Sequence, residues 1–188
     1  MNAFFAHAGL FMGLAVVTAT VAPIVAWAAP PFPVPPREER GREGADCRSP
    51  EPGPAVRLTV KGLKDREGRL QVELYPANDS DFLAADKKLI AEGKPFKRVR
   101  YNMPASGDPV VCIRAPEAGR YAIVVLHDRD RNGKFGYLRD GVAFPNDPNI
   151  VRSKPKASAA SVQIGSGTVV RETVTMQYLR GLQFGPVG

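Results

Sequence analysis

GRYAIVVLHDRDRNGKFG, residues 119–136, decides how the rest of the chain is read. Its first half, from Tyr121 to Leu126, is apolar at every position, the pattern of a central strand covered on both faces. Its second half sets Asp128, Asp130 and Asn132 at alternate positions before Gly133. These residue types close a turn through side-chain to backbone hydrogen bonds, and they also supply oxygen ligands to hard cations. A doubly covered strand running into an oxygen-rich loop predicts a layered β fold with that loop as its functional edge.

PVVCIRA (109–115) has the same two-sided apolar character and reads as a second central strand, with PEAGR joining the pair in a hairpin. VRLTVKG (56–62) and RLQVELY (69–75) alternate instead. Val56, Leu58 and Val60 oppose Arg57, Thr59 and Lys61, while Leu70, Val72 and Leu74 oppose Gln71 and Glu73, as in strands with one buried face. LKDREG between them carries Asp65 and Gly68, which predicts another hairpin. FKRVRYNM (96–103) is a polar strand whose Lys and Arg suit an edge, and GVAFP (141–145) is a brief extended piece. ASVQIG and TVVRETVTMQY, separated by Ser166-Gly167, complete the set, with Val170, Val174, Met176 and Tyr178 on one face.

In NDSDFLAADKKLIAEG, Asp79 or Ser80 caps one or two helical turns, and the Asn- and Pro-rich stretch 146–157 is loop. About seven strands with no βαβ alternation define the fold class as all-β. The expected architecture is a single antiparallel β-sandwich, immunoglobulin-like or transthyretin-like, over residues 55–180, with 181–188 as a C-terminal tail.

The N-terminal region differs in composition. Residues 1–36 contain no Asp, Glu, Lys or Arg, and the apolar run from Ala8 ends near Ala26-Trp27-Ala28. That predicts a secretory signal over 1–28 and a periplasmic or secreted protein, with a retained membrane anchor as the alternative. Residues 29–54 are Pro- and Gly-rich and predict an extended linker. The net charge of +7 therefore sits beyond the signal. Two cysteines, Cys47 and Cys112, point in an oxidising compartment to one disulfide, with two free thiols as the alternative.

From Val56 to Tyr178 the chain resembles a family of exported bacterial proteins, domain of unknown function 2141. LTVKGL, EGRLQVELY, Phe82-Leu83, AGRYAIVVLHDRDRNGKF and GVAFPND carry the likeness, most specifically the text from Gly119 to Phe135. The resemblance implies a small exported β-sandwich and brings no activity or catalytic residue with it. Gly136 stands where family members often have Asp, and Pro145 replaces a small polar residue.

As a metal site, the loop follows the EF-hand pattern only in part. Asp128, Asp130, Asn132 and Gly133 fit positions 1, 3, 5 and 6, and Lys134 offers a backbone carbonyl at position 7, but position 12 is Arg139. A looser calcium site completed by Asp140 or Asp147 is one reading, and a turn closed by its own side chains is the other. No Cys/His pair, zinc cluster or nucleophile elbow is present, which favours a non-enzymatic binding or structural module of the bacterial envelope. Two alternatives stand beside it: a hydrolase using His127, Asp128 and Asp130, and a binder of anionic glycan or lipid through Lys94, Lys97, Arg98, Arg100, Arg152, Lys154 and Lys156. The short basic clusters lack the aromatic spacing of a nucleic-acid module.

Overall fold

The computed structural model describes residues 32–187 apart from Arg152. The expected signal, 1–28, and the Arg152 member of the basic set lie outside the described residues. Ten strands follow in order: β1 (Ala55–Lys61), β2 (Arg69–Pro76), β3 (Lys97–Asn102), β4 (Val110–Arg114), β5 (Gly119–Asp128), β6 (Gly141–Ala143), β7 (Ser161–Ile164), β8 (Val169–Thr175), β9 (Gln177–Arg180) and β10 (Gln183–Pro186). One short helix, α1 (Asp86–Ala91), lies between β2 and β3, and a single 3₁₀ turn, Ala157–Ala160, precedes β7.

The strands form an all-β sandwich-like fold of two sheets, ordered β4-β1-β8 and β10-β9-β6-β5-β2-β3. β5 is ten residues long, so one of its edges serves two partners. Gly119–Ala122 pair with β7, and Val125–His127 pair with β6. The count exceeds seven because the brief piece at 141–145 holds a true strand, β6, because the run 168–178 breaks at Met176 into β8 and β9, which belong to different sheets, and because the expected tail supplies β10. One ladder departs from the antiparallel expectation: β1 and β8 run parallel.

Both expected hairpins are crossovers between sheets. β1 pairs with β4 and β8, whereas β2 pairs with β3 and β5; likewise β4 and β5 lie in different sheets. Alternation records which side chains are buried, and facing sheets bury the same kind of side chain against each other. β4 is an edge strand of the small sheet, not a central one. It is apolar on its second face because Cys112 there is bonded to Cys47, the expected disulfide. The Tyr101 hydroxyl also engages both backbone groups of Cys112, donating to its carbonyl and accepting from its N–H at 3.0 Å.

The expected helix cap is displaced as well. α1 starts after Ala85 without a side-chain cap, and Asp79 instead accepts a hydrogen bond from the Ala157 N–H at 2.7 Å. Leu83 intervenes at φ +59, a left-handed conformation that no helix continues through. Of the stretch assigned to a linker, residues 37–46 form successive turns packed on the domain. Ala45 is fully buried, and the carbonyls of Gly41 and Ala45 accept from Arg98 N–H and Arg114 N–H. Gly41 and Gly44, both at positive φ, shape this backbone, while the disulfide and these bonds hold it in place.

Both faces of the large sheet are buried. Leu70, Val72, Leu74, Ile123 and Val125 face the small sheet in one core. Tyr75, Val124, Leu126 and Phe144 face outward into a second, covered by Phe82, Leu89 and Phe96. Among the described residues no helix is long and apolar enough to cross a membrane.

Candidate functional site: the loop at the end of β5

His127 and Asp128 end β5 and point to opposite faces, as neighbouring strand residues must. His127 is fully buried. Its Nε2 lies 2.8 Å from the Glu67 carbonyl and its Nδ1 lies 2.6 Å from the Tyr178 hydroxyl. A carbonyl can only accept, so Nε2 carries the proton and Nδ1 accepts from Tyr178. Tyr178 in turn accepts from the Lys64 N–H at 3.1 Å. Burial pushes the His127 pKa below its ordinary value, against the opposing pull of the Glu67 carbonyl and Asp65. The same burial pushes the Tyr178 hydroxyl up to about 12. Tyr178 can approach only because Gly141 has no side chain, since a Cβ there would sit 2.4 Å from the Tyr178 ring.

Beyond Asp128 the chain closes on itself. Asp128 Oδ2 accepts from Arg69 Nε at 2.8 Å and from the Gly133 N–H at 2.9 Å, with Gly133 at φ +71. Asp130 accepts from Asn132 through the backbone N–H at 3.1 Å and the side-chain amide at 2.8 Å. Asn132 Oδ1 accepts from the Lys134 N–H at 2.7 Å. Asp140 binds the loop from outside, accepting from the Arg129 N–H at 3.0 Å and the Gly136 N–H at 2.6 Å.

Asp128, Asp130 and Asp140 each bring one carboxylate oxygen within 4.8 Å of the others. Asp147 does not join them; it accepts from the Thr175 N–H and hydroxyl at 2.8 and 2.9 Å. Arg139 reaches Asp130 at 3.5 Å. Asp128 Oδ1 is buried and has no hydrogen-bond partner among the described residues. An unpaired buried carboxylate oxygen is costly, and it is the one feature of the loop that its own hydrogen bonding leaves unexplained.

The basic set is not gathered into one free surface. Arg98 is buried between Glu73 and Asp86, at 2.6 and 2.8 Å. Lys94 pairs with Asp81 at 2.7 Å, and Arg100 donates to Gln71 at 2.8 Å. Lys97 donates to the Glu43 carbonyl, and Lys154 to those of Asp79 and Phe82. Lys156 is exposed.

What the alternation conceals is the outward face of β2 and β3. Gln71 and Glu73, read as a solvent face, are buried together with Arg98. Glu73 accepts from Gln71 at 2.9 Å, Tyr75 at 2.5 Å and Arg98 at 2.6 Å. The available signal was complementarity, since Glu73 sits opposite Arg98 and Gln71 opposite Arg100 in the ladder.

Fold and loop together define a disulfide-tied β-sandwich with an Asp cluster at the end of its longest strand. Within that class the chain belongs to the bacterial family described as uncharacterized protein conserved in bacteria (DUF2141), which matches residues 58–172. The match runs from inside β1 to inside β8 and includes the whole Asp loop. No curated protein and no solved structure matches the chain.

Proposed function

We propose that this protein is a non-enzymatic binding module of the bacterial envelope, periplasmic or secreted, whose 128–140 loop takes up calcium. The observation that carries the metal is the orphaned, buried Asp128 Oδ1 beside carboxylate oxygens of Asp130 and Asp140. A hard cation accepts varied oxygen ligands, and a bound ion would give that oxygen the partner it lacks. The bond from Gly133 N–H to the other oxygen of Asp128 fixes the carboxylate's orientation. Lys134 and Asn132 would add ligands through a backbone carbonyl and Oδ1, the latter exchanging its present bond to Lys134 N–H.

Two further observations support the reading. A hydrolase built on His127, Asp128 and Asp130 needs a reachable imidazole, whereas His127 is enclosed with both ring nitrogens engaged. The Cys47–Cys112 bridge suits an oxidising compartment, in line with the charge-free apolar N-terminus.

Calorimetric titration with calcium and thermal melts with and without chelator test the proposal. At calcium about 100-fold above its dissociation constant the expected stabilisation is about 2.7 kcal/mol, a rise of roughly 5–10 °C in Tm. Asp130→Ala, at an exposed position, should abolish both heat and shift. Absence of heat and shift in the unaltered protein would overturn the calcium reading.

A further inference from the structure

The outer face of the large sheet is incompletely covered. The start of α1, residues 150, 151 and 153–155, and the 133–137 loop lie over it and leave a pocket of about 740 Å³, within the roughly 300–1,000 Å³ usual for small-molecule sites. Its floor is apolar, made by Val124, Leu126, Val142 and Phe144. Of the large hydrophobic side chains exposed among the described residues, Leu83, Phe135, Tyr137 and Val151 all stand at its walls. Phe135 and Tyr137 gather on Phe184, with ring centroids 5.9 and 5.4 Å away. Leu83 is held there at φ +59, backbone strain of the kind that collects at ligand sites.

The charge at the walls has a sign. Glu73 and Asp86 are the carboxylates of the pocket, and arginines neutralise both. Arg98 holds each of them, and Arg40 holds Asp86 at 3.2 Å. Arg37, Lys134 and Lys154 also line the pocket, and among the described residues none of the three is in ion-pair contact with a carboxylate; Lys154 is held by the Asp79 and Phe82 carbonyls. Arg37 donates to the Gly133 carbonyl at 3.1 Å, which places its guanidinium beside the peptide that leads into Lys134. An apolar floor with Arg37 and Lys134 brought together at Gly133, and with the Lys154 ammonium already bonded to two carbonyls, is complementary to an amphiphile with an anionic head group.

We propose that this pocket binds a long-chain carboxylate, with its alkyl chain on Val124, Leu126, Val142 and Phe144 and its head group at Arg37 and Lys134. The head-group end shares Gly133 and Lys134 with the proposed calcium loop, so binding is measured in chelator and again in calcium, and saturable binding in chelator separates this site from the calcium reading.

The test is calorimetric titration of the full chain with sodium tetradecanoate and sodium decanoate below their micellar concentrations, with tetradecanol as the neutral control. Saturable 1:1 binding is expected, tightening roughly tenfold for every two added methylenes. The alcohol should bind at least tenfold more weakly. Arg37→Glu with Lys134→Glu should weaken the acid at least tenfold while the melting curve stays cooperative, and Val142→Trp, which fills the floor, should remove binding. Absence of saturable heat with either acid overturns the proposal. So does an alcohol that binds as tightly as the acid, or a charge-reversed variant of unchanged affinity. A concentration-dependent dimer in sedimentation that Val151→Asp dissolves would assign the apolar walls to a second copy and overturn it too.

Discussion

The inner and outer faces of the large sheet are both buried, yet different chemistry covers them. Along β2 the inward positions are Leu70, Val72 and Leu74, and the outward ones are Gln71, Glu73 and Tyr75. Inside, the small sheet lies on an aliphatic surface, where burial gains roughly 25 cal/mol per Å² whatever the detail of the contacts. Outside, turns and a short helix cover a surface holding the Glu73 carboxyl group, whose burial is offset by bonds from Arg98, Tyr75 and Gln71. One face is specified by shape and the other by pairing, and the incompletely covered one holds the pocket.

The largest expected effect tests the pairing. Arg98→Ala leaves Glu73 buried without its cation and should cost about 3–5 kcal/mol in urea denaturation. Adding Glu73→Gln should recover much of that loss, because the remaining amide needs no counter-charge. A loss below about 1 kcal/mol for Arg98→Ala would mean that the outer face is not held by this network.

Next comes a direct contrast between neighbours on β5. Ile123→Ala cuts the inner core and should cost about 3 kcal/mol. Val124→Ala faces the pocket, opens no closed cavity, and should cost about 1 kcal/mol in the same denaturation experiment. Equal losses would break the distinction between the two faces.

The smallest effect concerns the polar end of the inner face. Burial lowers the His127 pKa from its ordinary 6.5, so below that pH the unfolded chain binds a proton that the folded one resists. Stability from this group is complete above pH 6.5 and is lost as pH falls toward the lowered folded value. The protein should be less stable to melting at pH 5.5 than at pH 7.5, and His127→Asn should flatten the difference. His127 is the only histidine among the described residues, so no other imidazole contributes in that window.

Much of this was legible in the chain. The period-two runs located β1, β2 and β8, the doubly apolar run marked β5, and the cysteine count anticipated the bridge. Sheet allocation was not legible, because residues 62–68 would read the same whether β2 pairs with β1 or packs across from it. The site was half legible. Asp128, Asp130 and Asn132 announce their turn, and Asp140 and Asp147 were both candidates to complete it. Spacing could not choose between them: backbone bonds from Arg129 and Gly136 hold Asp140 at the loop, while Asp147 turns to Thr175. The burial of Glu73 was hidden because a paired charge and a solvated charge have the same place in an alternating pattern.

The parallel ladder between β1 and β8 sets Ala55 beside Val169 and Lys61 beside Thr175. The first strand of the domain therefore waits for its second neighbour until Val169–Thr175 have been synthesised. Pairing across such a sequence separation is slow, since the intervening loop must be closed before any contact rewards it. The small sheet is therefore closed by its most distant pairing, and until Val169–Thr175 are in place β1 can be paired along one edge only.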